Sequence, residues 1–366
     1  MKIPFVNLNR QYNSLKEGID SAIAGVIEKS SFIRGKPVEE FELRFAESLG
    51  AKYCVSCANG TDALYIGMKS LGLSSGDEVI TTAHTWISSS ETITQAGGKV
   101  RFCDTAKGSF LMDLSKLPDL VNERTKGIIV VHLAGEVVDM EKVSTFAKKH
   151  GLWIIEDCAQ AHLAKFKGQN VGTMGDIGTF SFYPGKNLGA MGDAGAIVSN
   201  RKELADWMTL FARHGGKGDH QIEGINSRMD GLQAAILNVK LPKLEEWNSQ
   251  RKAIAAEYTQ RLSGIGKLEC PSARPNIDHV YHLYMIQIDR RDELRAFLSE
   301  QGIQTGINYP KALPFYKAYR YLNHSPSCFP NAHRNQSRIL SLPLYPLMEE
   351  REVEYVSDTI IEFFGS

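Results

Sequence analysis

One lysine in a glycine-rich turn is the first candidate for chemistry in this chain. Lys186 lies within Thr179-Phe-Ser-Phe-Tyr-Pro-Gly-Lys-Asn-Leu-Gly189, directly after an apolar and aromatic run that is typical of a strand. Upstream, the apolar run Leu152-Trp-Ile-Ile-Glu-Asp157 ends in two carboxylates. A lysine amine can form a Schiff base with pyridoxal phosphate (PLP), and an aspartate can keep the pyridine nitrogen of that cofactor protonated. Lys186 and Asp157 together therefore predict a PLP site.

The turn around Lys186 also has to be compared with other lysine-containing sites. A P-loop would need a glycine five residues before Gly185 and Ser or Thr after the lysine, but Phe180 and Asn187 occupy those positions. The G-x-G-x-x-G fingerprint of nicotinamide-dependent oxidoreductases does not follow any predicted strand. A solvated surface lysine stays open at this point, although the aromatic neighbours are unusual for a surface loop.

Residues after other predicted strands could bind further parts of the same cofactor. Gly60 and Thr61 lie at a predicted helix start, where free N–H groups and a hydroxyl suit a phosphate; taken alone, Thr61 is more simply a helix cap. Trp86 could stack on a flat heterocycle or only pack against its neighbours. Ser181 could hold the phosphate from the turn that contains the lysine, and Gln160 could donate to the 3′ oxygen of the ring.

A glycine-rich, basic-leaning loop at residues 213–220 precedes another candidate anion site. It contains His214 and leads to Asn226 and Arg228, which are two residues apart on a predicted turn before a helix. This spacing suits anion binding, although a capped helix start is the simpler interpretation of the segment alone. In the same way, the carboxylates at 156 and 157 could be a helix-start pair favoured by the helix dipole.

Alternating strand and helix patterns predict how these residues come together. Short β-rich apolar runs alternate with amphipathic segments through roughly the first 240 residues, which favours βαβ units and a mostly parallel sheet. Such sheets bind ligands at the carboxyl ends of their strands, where Gly60, Trp86, Asp157 and Ser181 all fall. The predicted strands are Tyr53–Cys57, Glu78–Thr82, Val100–Cys103, Gly127–Val131, Trp153–Glu156, Gly178–Phe182 and Ala196–Ser199. The predicted helices between them include Asp62–Leu71, Ser88–Ala96 and Glu141–His150.

A change of pattern near residue 240 predicts two domains. We expect a large α/β PLP-binding domain over residues 1–240 and a smaller α+β domain over residues 241–366, with a connector helix at about 244–262. The further predicted elements are the helices Gly231–Lys240, Leu244–Leu262 and Asp292–Gln301 and the strand Val280–Ile288. A Pro- and Tyr-rich loop is predicted from Tyr309 to about Pro346.

The composition of the whole chain bounds the class of protein. The 366 residues include 42 Lys and Arg and 42 Asp and Glu, so no global field favours nucleic acid or an anionic membrane. Six irregularly spaced cysteines argue against a disulfide scaffold, and no second Cys or His pair completes a zinc site around Cys54-Val-Ser-Cys57. No run approaches the roughly 18 apolar residues of a membrane span, and the opening residues lack a signal peptide. We therefore expect a cytoplasmic protein without a metal site.

Taken together, these residues resemble the DegT/DnrJ/EryC1/StrS family of PLP-dependent sugar aminotransferases, and the likeness covers nearly the whole chain. The order of the motifs makes the resemblance highly specific. The motifs are Ile3-Pro-Phe-Val-Asn-Leu-Asn-Arg-Gln-Tyr12, Ala58-Asn-Gly-Thr-Asp-Ala63, Glu156-Asp-Cys-Ala-Gln160, Ser181-Phe-Tyr-Pro-Gly-Lys186, Gly224-Ile-Asn-Ser-Arg228 and Ser341-Leu-Pro-Leu344.

The resemblance implies an aspartate-aminotransferase-like fold (PLP fold type I) and a homodimer whose two active sites are shared between subunits. It also implies that Lys186 carries PLP as a Schiff base and shuttles the proton, and that Asp157 pairs with the pyridine nitrogen. The other implied cofactor contacts are Gln160 at the 3′ oxygen, Trp86 on the ring, Gly60, Thr61 and Ser181 at the phosphate, and Asn226 at the neighbouring subunit's phosphate. The implied substrate contacts are Arg228, His214 and Tyr309.

The implied reaction is a transamination in two halves. An amino acid, which the family implies is L-glutamate, leaves its amino group on the cofactor as pyridoxamine phosphate (PMP), and the second half passes this group to a nucleotide-linked ketosugar. The opening Pro4-Phe-Val-Asn-Leu-Asn-Arg-Gln-Tyr12 looks more like members that act on 3-keto sugars than on 4-keto sugars. The product would serve a bacterial surface polysaccharide such as a lipopolysaccharide O-antigen, with an antibiotic sugar as the alternative. A sugar dehydratase of this fold would replace the lysine by His, and a non-catalytic regulator would lose Lys186 or Asp157.

Two positions depart from the usual pattern of the family. Gly192-Asp-Ala-Gly195 has an alanine where a glycine is usual, and the methyl group of Ala194 fits if that backbone keeps φ below zero. Asn308 stands before Tyr309-Pro310 where many members have His. The second departure bears on the sugar and not on the cofactor.

Overall fold

The computed structural model describes residues 1–216, 218–266 and 268–365. Its strands are β1 (Tyr53–Cys57), β2 (Glu78–Thr82), β3 (Lys99–Cys103), β4 (Thr125–Val131), β5 (Trp153–Asp157), β6 (Lys165–Phe166), β7 (Gln169–Asn170), β8 (Ile177–Ser181), β9 (Gly195–Ser199), β10 (Ile277–Asp278), β11 (Tyr284–Gln287) and β12 (Ile339–Leu342). Its α-helices are α1 (Leu8–Asn13), α2 (Lys16–Glu28), α3 (Lys36–Leu49), α4 (Gly60–Ser70), α5 (Ser88–Gln95), α6 (Leu117–Leu120), α7 (Met140–His150), α8 (Lys202–Phe211), α9 (Gly231–Lys240), α10 (Leu244–Leu262), α11 (Arg291–Glu300), α12 (Pro330–Arg338) and α13 (Glu350–Gly365). Within these described ranges, no helix has the length and apolar character needed to cross a membrane.

The main sheet has the strand order β1-β9-β8-β5-β4-β2-β3. The strands from β8 to β3 in this order are parallel to their neighbours, whereas β9 is antiparallel to both β1 and β8. The predicted α/β fold with a mostly parallel sheet is therefore confirmed. Each predicted strand of this sheet is present within two residues of its predicted ends; β5 extends to Asp157 and β8 ends at Ser181.

Successive residues of the central strands build two separate cores. In β4, Ile128 packs in a core with Phe41 and Phe45 of α3, whereas the next residue, Ile129, packs in another core with Ile66 of α4. Successive side chains of a strand face opposite sides of the sheet, and helices cover both faces because a mostly parallel sheet is buried on both sides. Ligand-binding side chains of such a sheet therefore lie at the edge where its parallel strands end.

A third core lies in the C-terminal part of the chain. Ile254 of α10 packs there with Ile360 of α13, and β11 pairs antiparallel with β12. Ile3, from the other end of the chain, belongs to the same core. The helix α10 has the bounds predicted for the connector, and the division of the chain into residues 1–240 and 241–366 stays a prediction.

The predicted loop from Tyr309 to about Pro346 contains regular structure, so this part of the prediction is wrong. The helix α12 begins at Pro330, in a first helical turn where a missing N–H costs no hydrogen bond. The strand β12 follows it directly and pairs with β11. The composition conceals these short elements because tertiary packing, and not local propensity, stabilises them.

Candidate active site

A cavity of about 790 Å³ lies beyond the carboxyl ends of β2, β5 and β8. It is lined by most of the residues predicted for the site, although they come from distant segments of the chain. These residues are Gly60, Thr61, Trp86, Asp157, Gln160, Ser181, Lys186 and Tyr309. The strand ends bring them together, as expected for a parallel sheet.

Lys186 lies on a tight turn that packing holds on both sides. The side chains of Phe182 and Leu188 are fully buried in the core shared with α3. Gly189 approaches Pro184 so closely that a Cβ would lie 2.2 Å from the Pro184 carbonyl oxygen. A side chain at position 189 would open this turn, so the glycine keeps the lysine in place.

Lys186 and Asp157 influence each other electrostatically. Lys186 is half-buried, and burial lowers its pKa to about 8, while the negative charge of Asp157 opposes the shift. Burial raises the pKa of Asp157, opposed by its hydrogen bonds and by the charge of Lys186. The Asp157 carboxylate accepts the Ser89 hydroxyl at 2.8 Å and the Ala159 N–H at 3.2 Å. Residues 158–164, all of them described, form turns and no helix, so the helix-start interpretation of the two carboxylates is wrong.

The neighbouring carboxylate, Glu156, braces the end of β5 and does not line the cavity. It accepts the N–H groups of Met174 at 2.8 Å and Gly175 at 2.7 Å, and it lies 3.1 Å from Nε2 of His132. The donor atoms of Glu156, His132 and Cys158 lie within 4.8 Å of one another. Both carboxylate oxygens of Glu156 thus have hydrogen-bond partners. These bonds hold the end of β5, where Asp157 follows Glu156 and lines the cavity.

The first turn of α4 and the end of β8 form a cradle. A Cβ on Gly60 would lie 2.6 Å from the Cβ of Ser181, so the close approach requires glycine. The side chain of Asn59 caps α4, so the interpretation of Thr61 as the cap is wrong. The Thr61 hydroxyl lies 2.7 Å from that of Ser88. Free N–H groups at a helix start, together with these hydroxyls, suit a phosphate.

Hydrogen bonds at both ends of its amide orient Gln160. Its Oε1 accepts the Ala134 N–H at 2.6 Å, and its Nε2 donates to the Tyr309 hydroxyl at 2.9 Å. The backbone carbonyl oxygen of Tyr309 lies 2.9 Å from Nε2 of His84. The ring centre of Tyr309 is 5.4 Å from that of Trp86. With 57 % of its surface exposed, Trp86 is not a core residue, and its indole is free to cover a ligand.

Three of the predicted site residues do not line the cavity: Asn226, Arg228 and His214. Asn226 and His214 are exposed, and Arg228 is half-buried. The segment between 226 and 228 is nevertheless attached to α4, because the Ser227 hydroxyl donates to Asp62 at 2.6 Å. These residues therefore flank the cradle on the outer surface of the chain.

The sequence patterns missed several residues that line or support the cavity. Ser89 lies inside α5 and holds Asp157, and Arg251 lines the cavity from the middle of α10. The run Ser88-Ser-Ser90, at the start of the helix that follows β2, could have indicated Ser89. Nothing local distinguishes Arg251 within its charge-laced helix. Ala194 is not among the residues with positive φ, so the condition for accepting its methyl group is met.

Comparisons with known proteins extend over the whole chain. A model of the DegT/DnrJ/EryC1/StrS aminotransferase family matches residues 13–361. The chain is 41% identical to the "Pleiotropic regulatory protein" of Geobacillus stearothermophilus, over 100% of this chain and 99% of that protein. It is 39% identical to the "dTDP-3-amino-3,6-dideoxy-alpha-D-galactopyranose transaminase" of Aneurinibacillus thermoaerophilus, over 98% of each chain.

Solved structures also resemble the chain over its whole length. The crystal structure of S. venezuelae DesV in complex with a ketimine intermediate has a TM-score of 0.98 and 35% identity, covering 100% of this chain and 99% of that chain. The structure of NtdA from Bacillus subtilis with bound PMP has a TM-score of 0.92 and 31% identity, covering 100% of this chain and 86% of that chain. The likeness therefore concerns both the sheet that positions the cavity and the C-terminal core.

Proposed function

Because the chain belongs to the DegT/DnrJ/EryC1/StrS aminotransferase family and is a PLP-dependent sugar aminotransferase, we propose that it transfers the amino group of L-glutamate to the keto group of a nucleotide-linked 3-keto sugar. The observation that carries the proposal is one cavity that contains Lys186, Asp157 and the Gly60–Ser181 cradle. A single site thus offers partners for an aldehyde, a pyridinium and a phosphate.

The residues of the cavity fit PLP in each of these places. The cradle at the start of α4 suits the phosphate, and the amide NH2 of Gln160 suits the 3′ oxygen. Burial raises the pKa of Asp157, and the charge of Lys186 offsets this shift only in part. A protonated pyridine nitrogen beside the carboxylate would favour its charged form further. When bound, PLP supplies an electron sink for the electron pair left behind when a proton leaves the donor's Cα.

Lys186 moves the proton in the proposed mechanism. Once the amino donor has taken the place of Lys186 at the cofactor, Nζ would be a free amine. Its lowered pKa of about 8 keeps part of that amine neutral near physiological pH. Nζ then takes the proton from the donor's Cα as a general base and gives one back as a general acid, for which a pKa near the operating pH is favourable. Tyr309 and Trp86 border the place where the second substrate would enter.

We propose that a second copy of the chain completes the site. In a twofold dimer the same surface patch meets its counterpart, so Asn226 would reach the phosphate bound by the partner, with Arg228 and His214 near the substrate. Exposed apolar side chains at Phe32 and Ile33 lie beside this segment, since Ile33 forms a β-bridge with Asp230. Apolar surface of this kind supports a protein interface. The cytoplasmic location belongs to the same proposal.

The position of the keto group rests on two similarities. The opening motif resembles members that act on 3-keto sugars, and the name of the Aneurinibacillus relative refers to a 3-amino sugar. A 4-keto sugar is the alternative substrate. A surface polysaccharide such as an O-antigen would be the destination of the product.

A purely regulatory function, which the name of the Geobacillus relative raises, is less well supported by the site. Lys186 and Asp157 are both present and lie in one cavity. A dehydratase of this fold would carry His at position 186.

The test uses the purified protein with PLP. We expect an imine absorbance band that L-glutamate converts into the PMP spectrum, and we expect a Lys186→Ala variant to lose both. The PMP form is then offered dTDP-, UDP- and GDP-linked 3-keto and 4-keto sugars, and return of the imine band identifies the substrate. A protein that forms no imine with PLP, or a Lys186→Ala variant with full activity, would contradict the proposed function. Return of the band only with 4-keto sugars would contradict the 3-keto assignment.

A further inference from the structure

Arg251 is a buried cation in the same cavity. It reaches the cavity from α10, and only 3% of the residue is exposed. Across the described ranges no carboxylate lies close enough to form an ion pair with it, and burial alone lowers its pKa to about 9. A buried charge is normally paired because leaving it unpaired costs free energy. The arrangement therefore points to an anion that comes from outside the chain.

One nitrogen holds the guanidinium and another is left without a partner. Nη1 donates to the carbonyl oxygens of Leu344 at 3.0 Å, Tyr281 at 3.3 Å and His282 at 3.4 Å. Nε also lacks a partner, but it is completely buried, whereas none of the residues that the structure describes accepts a hydrogen bond from Nη2. The group is thus anchored in one orientation, with Nη2 as the donor that a carboxylate oxygen can meet in a charge-assisted hydrogen bond.

The neighbouring groups cannot supply that negative charge. His162 is buried and His282 is half-buried. Burial, with help from the charges of Lys186 and Arg251, lowers the pKa of both rings. Both rings are therefore neutral at physiological pH. Three acidic residues line the cavity: Asp62, Asp157 and Asp193. Asp157 is held by Ser89 and its neighbouring backbone, Asp62 accepts the Ser227 hydroxyl, and Asp193 is exposed. Within the described part of the chain, none of these carboxylates forms an ion pair with Arg251.

We propose that Arg251 binds a carboxylate of the amino-acid donor. This assignment rests on the proposed function and names the residue that holds the donor in its site. The phosphate of the cofactor has its own cradle at the start of α4, and a bulky nucleotide diphosphate requires a more open position than a guanidinium that is almost completely buried. A carboxylate held by the fixed Arg251 would place the donor's Cα in a constant position relative to Lys186, which is the kind of orientation that accelerates a proton transfer.

The experiment measures the two half-reactions separately with Arg251→Gln, loaded with PLP. L-Glutamate is titrated while the conversion of the imine band into the PMP spectrum is followed; the PMP form is then returned with the ketosugar. We expect the glutamate concentration at half-saturation to rise about 10- to 100-fold, with the ketosugar half-reaction nearly unchanged. L-Glutamine, which keeps only the α-carboxylate, and 4-aminobutyrate, which keeps only the other one, show which carboxylate Arg251 binds.

Arg291→Gln is the matched control, because Arg291 is also buried and donates to backbone carbonyls at Ile339 and Gln336, but does not line the cavity. We expect its glutamate titration to follow that of the unchanged protein. If Arg251→Gln does not fold or bind PLP, Arg251→Lys keeps the charge without the planar fork and should still raise the half-saturating glutamate concentration.

Two results would overturn the assignment of Arg251. The first is a PLP-loaded Arg251 variant whose glutamate titration is unchanged. The second is a variant in which the ketosugar half-reaction is weakened at least as much as the glutamate half-reaction. An unchanged protein that responds to no amino donor would instead overturn the proposed function, and the assignment with it.

Discussion

Lys186 has to satisfy two opposing requirements. It must be buried enough to lose its proton near neutral pH, and it must stay accessible to a cofactor and to substrates. The structure meets both with a half-buried side chain on a turn whose flanking residues, Phe182 and Leu188, are fully buried. The flanking side chains anchor the turn, and Lys186 lines the cavity.

The first prediction concerns the pH dependence of this amine. In the cofactor-free protein, Schiff-base formation with added PLP should accelerate as pH rises through about 8, because burial lowers the pKa of Lys186 from 10.5 to about 8 and only the neutral amine is nucleophilic. The rate of appearance of the imine band is measured between about pH 6.5 and 9.5, with Nα-acetyl-lysine as the reference whose midpoint lies near 10.4. A protein midpoint equal to that of the reference would contradict the prediction.

The second prediction tests the cradle at Gly60. Gly60→Ala should weaken PLP binding by about tenfold or more, because its Cβ would lie 2.6 Å from Cβ and 3.1 Å from Cα of Ser181, atoms that no side-chain rotation can move away. PLP is titrated into the cofactor-free protein and followed by absorbance. Gly25→Ala is the control: it lies in α2 with no atom within 4 Å of the new methyl group, so PLP affinity should stay the same. Equal affinities of the two variants would show that the cradle does not bind the cofactor.

The end of β5 shows how one element serves both architecture and chemistry. Its last two residues carry carboxylates with different partners: Glu156 binds the backbone at Met174 and Gly175, whereas Asp157 lines the cavity. Neighbouring positions on a strand face opposite sides. The structural carboxylate therefore holds the strand end in the position at which the other one can meet a ligand.

The third prediction is that Glu156→Ala lowers the free energy of unfolding by about 3 kcal/mol or more, because it leaves the N–H groups of Met174 and Gly175 and the ring of His132 without their acceptor. Urea denaturation of the cofactor-free protein measures this change. Glu141→Ala removes an exposed carboxylate paired with Lys167 and should stay within about 0.5 kcal/mol. A loss at position 156 as small as that at 141 would refute the bracing role.

Three residues that the family resemblance places near the cofactor or the substrate do not line the cavity of this chain. Asn226 and His214 are exposed and Arg228 is half-buried, and none of the three lines the cavity. In the twofold dimer that we propose, these residues would face the cavity of the partner subunit. Dimer formation would then be a condition for activity and not only for stability.

The fourth prediction follows from that arrangement. Lys186→Ala and Arg228→Ala should each be inactive, and a mixed dimer of the two, purified with two different tags, should recover about half of the normal activity because one of its two sites is intact. The complete transamination is measured for each pure dimer and for the mixed dimer. Mixed dimers that stay inactive would show that Arg228 acts on the site of its own chain.

Much of the site could be predicted because its motifs are local. Asp157 and Ser181 stand at the ends of apolar runs, and a run of that kind is visible in one chain. Ser89 and Arg251 could not be found in this way, since each lies inside a helix whose own pattern does not indicate what the helix packs against. The same limit explains why α12 was predicted as loop.

By itself, the sequence determined the α/β class and the parallel strand ends, and it singled out Lys186 and Asp157, which line one cavity. Period, apolar runs and glycine-rich turns are properties of neighbouring residues. Only the tertiary structure decided that Asn59 and not Thr61 caps α4, that Gly60 approaches Ser181, and that Arg251 faces the cavity with no counter-ion among the residues that the structure describes. Each of these depends on the distance between segments that are far apart in the chain. The physical reason is that such contacts are stabilised by burial across the whole fold, which no local pattern contains.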